Sequence, residues 1–183
     1  MNIFVLCTGR CGSTTFTRAA QHITNFTAGH ETRSGLIGHA RFDYPSYHIE
    51  ADNRLSWLLG RLNSEFGDNA YYVHLRRDRV ATAESFTQRW NMGIMSAYRK
   101  HILSVRGGAD LCNNNKIDVA LDYVDTVNFN IALFLKNKTH TMDFIMEDGR
   151  KHFSHFWDWI GAEGNKEAAL SEWGTRHNAS KIS

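Results

Sequence analysis

The chain predicts an α/β fold, a P-loop-like three-layer arrangement with a mainly parallel central sheet flanked by helices. Short continuous apolar runs are each followed by a helix-period stripe, as in strands covered on both faces. The first run, Ile3 to Cys7, opens at once into a Gly-rich turn. Strands alternating with helices imply ligands at the carboxyl ends of the strands.

Taken in order, Ile3-Phe4-Val5-Leu6-Cys7 reads as a buried parallel strand and Thr14 to Ile23 as the helix after the turn. A short strand is expected just before Gly29-His30-Glu31. Leu55, Trp57, Leu58, Leu59, Leu62 and Phe66 recur mostly at three- and four-residue spacing, with Asp52 or Asn53 as cap and Gly67 as stop. Tyr71 to Leu75 is a second buried strand that delivers the chain to Arg76-Arg77-Asp78 and a helix through Val80, Ala83 and Phe86. Ile117 to Leu135 outlines a long helix, Met142 to Met146 a further strand, and Phe153, Phe156, Trp157 and Ile160 a last stripe stopped near Gly161. Residues 32–50 and 88–116, rich in Arg, Tyr, His, Asn and Gly, are left as loops facing an acceptor.

Composition narrows the function. With 183 residues, no repeat and one proline, Pro45, residues 1–183 are expected to fold as one domain. A net charge of +2 argues against a nucleic-acid-binding face but leaves room for a local anion site. Cys7, Cys11 and Cys112 have neither disulfide nor zinc spacing, which suits a reducing compartment. Five apolar residues before Thr8 make neither a signal peptide nor a membrane span, so the expectation is a cytoplasmic protein. The Asn-x-Ser/Thr triplets at Asn25, Asn137 and Asn178 then read as chance matches. His39, His48, His101, His152 and His155 form no metal-ligand pattern. The five tryptophans suit a core or a lid better than a stacking platform.

The chemistry concentrates in Cys7-Thr8-Gly9-Arg10-Cys11-Gly12-Ser13-Thr14-Thr15. Two glycines let successive N–H groups converge, a helix N-terminus adds positive potential, and three hydroxyls supply further donors, which together suit an anion. A nucleoside-triphosphate loop would carry Lys after its last glycine; Ser13 follows Gly12 directly. The dinucleotide pattern of three glycines is also unmet. A phosphatase-like Cys11 nucleophile would need Arg at position 17, where Thr17 stands.

Gly9-Arg10-Cys11-Gly12-Ser13-Thr14, and Arg77-Asp78 with Ser85 eight positions past the arginine, resemble the two signatures of the sulfotransferases that use 3′-phosphoadenosine 5′-phosphosulfate (PAPS), in their carbohydrate and bacterial branches. The resemblance implies that Gly9, Arg10, Cys11, Gly12, Ser13, Thr14 and Thr15 hold the 5′-phosphosulfate. Arg10 touches the transferring group, and Arg77 with Ser85 grips the 3′-phosphate. It implies a general base at Glu31, with His30 as the alternative. Read without a catalytic role, Glu31 is instead a loop carboxylate paired with Arg33. Phe144 to Asp148 and the helix after it are similar to a late strand–helix unit of the family. Arg176, Ser180 and Lys181 would close a C-terminal loop over the donor, although the family's Arg-Lys-Gly tripeptide is absent. The implied reaction is metal-independent transfer of a sulfuryl group to a hydroxyl or amine of a small-molecule or carbohydrate acceptor. Two rivals stand beside it: a kinase or nucleotide hydrolase without the loop lysine, and a non-catalytic phosphonucleotide-binding protein.

Overall fold

A computed structural model describes residues 1–103 and 115–175. Five strands form one parallel sheet: β1 (Asn2–Cys7), β2 (Thr27–His30), β3 (His48–Ala51), β4 (Tyr71–Arg76) and β5 (Thr141–Ile145), in the order β2-β3-β1-β4-β5. Helices α1 (Ser13–Ala20), α2 (Leu59–Phe66), α3 (Arg79–Thr87), α4 (Gly93–Ala97), α5 (Lys116–Leu135), α6 (Gly149–Trp159) and α7 (Lys166–Ser171) connect and cover them. The α/β three-layer expectation is met.

Strand β1 lies at the centre, with Val5 level with Ala51 of β3 and Val73 of β4. Its alternate side chains supply two cores. Ile3, Val5 and Cys7 meet Phe16 of α1 and Phe153, Phe156 and Trp157 of α6. Phe4 and Leu6 face Leu62 of α2, Phe86 of α3 and Tyr123, Val124 and Val127 of α5. A strand buried on both faces cannot alternate polar and apolar residues, which is why β1 reads as one apolar run. The chain leaves β1 for the β2–β3 side and then crosses to β4, so the crevice between the diverging connections opens at the carboxyl end of β1.

Several expectations need correction. The helix read to Ile23 ends at Ala20; Ile23 instead bridges to Gly164. The stripe from Leu55 to Phe66 is broken: a 3-10 turn, Leu55–Trp57, precedes α2, and Leu58 (φ −119°) separates them. Asp52 does not cap α2, whose N-cap is Leu58; its carboxylate accepts from the Arg54 N–H at 2.8 Å, ahead of the 3-10 turn. Gly67 does end α2, at φ 53°. Strand β3 lies inside what reads as an acceptor loop, and its His48 and Glu50 are buried. Segment 88–103 is likewise partly helical, with α4 followed by a π-helical turn at Tyr98–Ile102. Cys112, Asn178, Arg176, Ser180 and Lys181 lie outside the described residues.

Candidate functional site

The turn after β1 is built for close approach. Gly9 (φ 81°), Arg10 (φ 58°) and Gly12 (φ 92°) all occupy left-handed backbone. A Cβ on Gly9 would lie 2.8 Å from Asn53 Nδ2, and one on Gly12 2.9 Å from Met146 Cγ. Both positions therefore need glycine for conformation and for space. No side chain caps α1, and its first turn carries no acid, so the N–H groups of Ser13, Thr14 and Thr15 are available to an anion.

Arg77 and Ser85 converge on this turn. Asp78 N-caps α3 by accepting from the Ala81 N–H at 2.8 Å, which starts the helix at Arg79, two residues past Arg77. Ser85 then lies two turns along α3 and accepts a hydrogen bond from Arg10 Nε at 3.0 Å. Arg77 Nη1 donates to the Arg10 carbonyl at 3.3 Å, bracing its left-handed backbone. Burial, and then the charges of Arg89 and Arg77, hold the Arg10 guanidinium below its ordinary value. Like charges have been gathered at one place, the condition that a multivalent anion relieves.

On the other side of the turn, His30 Nε2 sits 3.0 Å from Ser13 Oγ. Glu31 is left-handed (φ 54°), donates its N–H to the Ala51 carbonyl at 3.1 Å, and forms an ion pair with Arg54. The expected partner, Arg33, instead donates to the Ala40 carbonyl at 2.9 Å. Thr32, the next residue, donates its N–H and its hydroxyl to the two oxygens of Glu50, each at 2.7 Å. Glu50 is fully buried and also meets His48 Nε2 at 2.9 Å. His30 and Glu31 are thus held by a turn pinned to β3, a support that the polar composition of His48-Ile49-Glu50 concealed.

One cleft of about 720 Å³ collects these groups. Gly9, Arg10, Gly12, Ser13, Thr14, Thr15, His30, Glu31, Arg77 and Ser85 all line it. Cys11 does not: it is fully buried beneath the turn in the α1-side core, so only its backbone remains for a ligand. A hydrogen bond with Cys7 pushes the Cys7 thiol up and the Cys11 thiol down, inside the core rather than toward the cleft. Asn53, Arg89 and Trp173 also line the cleft, and neither motif had pointed to Asn53 or Arg89. Asn53 Oδ1 and Arg89 Nε are buried atoms with no hydrogen-bond partner among the described residues. Trp173, the tryptophan at the cleft wall, packs on Gly149, whose Cβ would lie 2.1 Å from its ring. A slightly larger hollow of about 790 Å³ lies beyond Met146 and Trp173, but it holds no residue of the turn and none of Arg10, Arg77 or Arg89. Charge, not size, selects the first.

The residues present suit a multivalent anion: a nest of N–H donors at one end, guanidinium groups beside it, and orphaned polar atoms in the wall. No grouping of His, Cys, Asp and Glu among the described residues could hold a metal ion.

Compared with solved structures, the chain is similar to a sulfotransferase domain from the curacin biosynthetic pathway, with a TM-score of 0.64 over 91% of this chain and 75% of that one. The two share a fold. At 16% identity the likeness concerns architecture alone. No protein-family model matches the chain, and no curated protein sequence matches it. Among the described residues no helix is long and apolar enough to cross a membrane.

Proposed function

We propose that this protein is a metal-independent sulfotransferase that moves a sulfuryl group from PAPS to a hydroxyl or amine of a small-molecule or carbohydrate acceptor. The observation that carries the reading is the 3.0 Å contact between Arg10 Nε and Ser85 Oγ, which joins the loop and the Arg77–Ser85 pair on one concave surface. Two anion grips read separately along the sequence then serve one ligand.

PAPS supplies a sulfuryl group on a phosphate leaving group. The turn's N–H donors and the hydroxyls of Ser13, Thr14 and Thr15 hold the phosphosulfate, while Arg77 and Ser85 hold the 3′-phosphate. As the bond from sulfur to the 5′-phosphate oxygen breaks, its electron pair stays on that oxygen, and Arg10 balances the growing charge. A new bond forms between sulfur and the acceptor oxygen or nitrogen, whose proton passes to a base. The contacts favour His30 over Glu31 for that role: the His30 ring touches Ser13 of the loop, whereas the Glu31 carboxylate is engaged by Arg54. Glu31 then steadies the turn. The same ion pair favours one second reading, a phosphonucleotide-binding protein without transfer activity.

The product, adenosine 3′,5′-bisphosphate, is expected to raise the melting temperature with EDTA present, because a ligand selective for the folded state stabilises it by mass action. No shift at about millimolar ligand, roughly a thousand times a micromolar Kd, would overturn the reading. His30→Gln is expected to lower transfer of labelled sulfate to simple phenols, amines and sugars by about 10²-fold or more, with bisphosphate binding kept. A comparable loss in Glu31→Gln but not in His30→Gln would return the base to Glu31. Binding without transfer to any acceptor would select the second reading.

A further inference from the structure

Arg89 is a charged side chain in the cleft wall that no recognised motif reaches. It stands four residues after Ser85, just past the end of α3, where Gln88 keeps helical dihedrals and the Arg89 N–H still bonds to the Phe86 carbonyl at 2.9 Å. That spacing brings positions 85 and 89 to the same side of the chain. Ser85 and Arg89 both line the cleft. Arg89 makes no ion pair with a described carboxylate, and its Nε is buried without a partner among the described residues.

A buried guanidinium nitrogen without an acceptor costs stability, and the penalty is removed when a ligand supplies one. Arg89 lines the same cleft as Arg10 and Arg77, and after burial its charge, with that of Arg77, helps to hold the Arg10 guanidinium below its ordinary value. Of the acids in the lining, Glu31 is taken by Arg54, and Glu84 is exposed. We infer that Arg89 is a third guanidinium of the nucleotide site, which joins Arg77 and Ser85 on the phosphate remote from the loop. This rests on the donor reading above and adds a residue to it. The cleft would thereby select nucleotides whose second phosphate is separate from the first.

Titration calorimetry of the full chain with adenosine 3′,5′-bisphosphate and with adenosine 5′-monophosphate tests the assignment. Arg89→Gln is expected to weaken the bisphosphate by about 10- to 100-fold, the worth of one charge-assisted hydrogen-bonded contact, and the monophosphate by about twofold or less. Arg89→Lys keeps the charge without the planar fork and is expected to fall between. It also serves if the glutamine variant fails to fold. Unchanged bisphosphate affinity in both variants, with the unmodified chain binding normally, overturns the role of Arg89 and leaves the donor reading standing. Equal losses for both ligands also overturn it, by moving Arg89 to the loop phosphate. Failure of the unmodified chain to bind the bisphosphate overturns both.

Discussion

The two sides of the cleft solve opposite electrostatic problems. On the β4 side, Arg10, Arg77 and Arg89 crowd one another, and the first of them is held below its ordinary value by burial and by the other two. On the β3 side nearly every charge has met its opposite inside the protein. Glu31 pairs with Arg54, Glu50 holds Thr32 and His48, and Asp52 bonds to Arg41 at 2.5 Å with both side chains buried. The first arrangement stores repulsion that an anionic ligand removes. The second is complete beforehand and holds the His30–Glu31 turn in place, where the proposed function would need geometry rather than charge.

The largest expected effect is on ligand binding. Arg77→Ala should weaken adenosine 3′,5′-bisphosphate by about 100-fold, as for a lost charge-assisted contact, and its analogue without the 3′-phosphate by much less. Calorimetry checks this, and equal losses would erase the division of labour within the cationic side.

Next comes stability on the paired side. Asp52→Ala strands the Arg41 guanidinium, which is 3% exposed, and should cost about 3–5 kcal/mol in urea unfolding, typical of a broken buried pair. Burial pushes the Asp52 carboxyl up, with the Arg54 N–H and Arg41 opposing, so the pair is retained at a desolvation cost. If the paired side serves only to support the His30–Glu31 turn, bisphosphate affinity of the folded fraction should stay within about twofold, although Asp52 adjoins Asn53 and holds the Arg54 N–H. A large affinity loss would mean that the two sides are not separable.

The smallest effect concerns His74, between them on β4. Burial is the main cause that holds its imidazole below 6.5, against the hydrogen bond with Asn128. Between the folded value and 6.5 the unfolded chain carries the proton and the folded chain does not, so this contribution is complete above pH 6.5 and lost as pH falls below it. Urea midpoints at pH 7.5 and 5.5 read the change. His74→Gln should flatten it, and an unchanged slope would assign the pH response to another group.

Much of this was legible in residue order. Apolar runs marked β1, β4 and β5, and the stripe of Val80, Ala83 and Phe86 put Ser85 on the following helix, whereas the cap by Asp78 emerged only from the structure. Strand β3 escaped because His48 and Glu50 are buried as a hydrogen-bonded pair, and burial of matched polar groups leaves no hydrophobic signature. Arg54 was missed as the partner of Glu31 because nearness in sequence favoured Arg33. Cys11 read as part of the anion cradle; its thiol turns inward because Arg10 and Gly12 on either side are left-handed.

Sequence by itself determined the local features: where strands and helices run, which turn requires glycine, and which arginine lies eight residues before a serine. These follow from periodicity, capping and backbone sterics, which act over a few bonds. The tertiary structure decided the order of the strands, the meeting of Arg10 with Ser85 across 75 positions, and which cations kept a protein carboxylate. Packing of the two cores around β1 sets those choices, because electrostatic pairing depends on distance in space, and no local pattern encodes it.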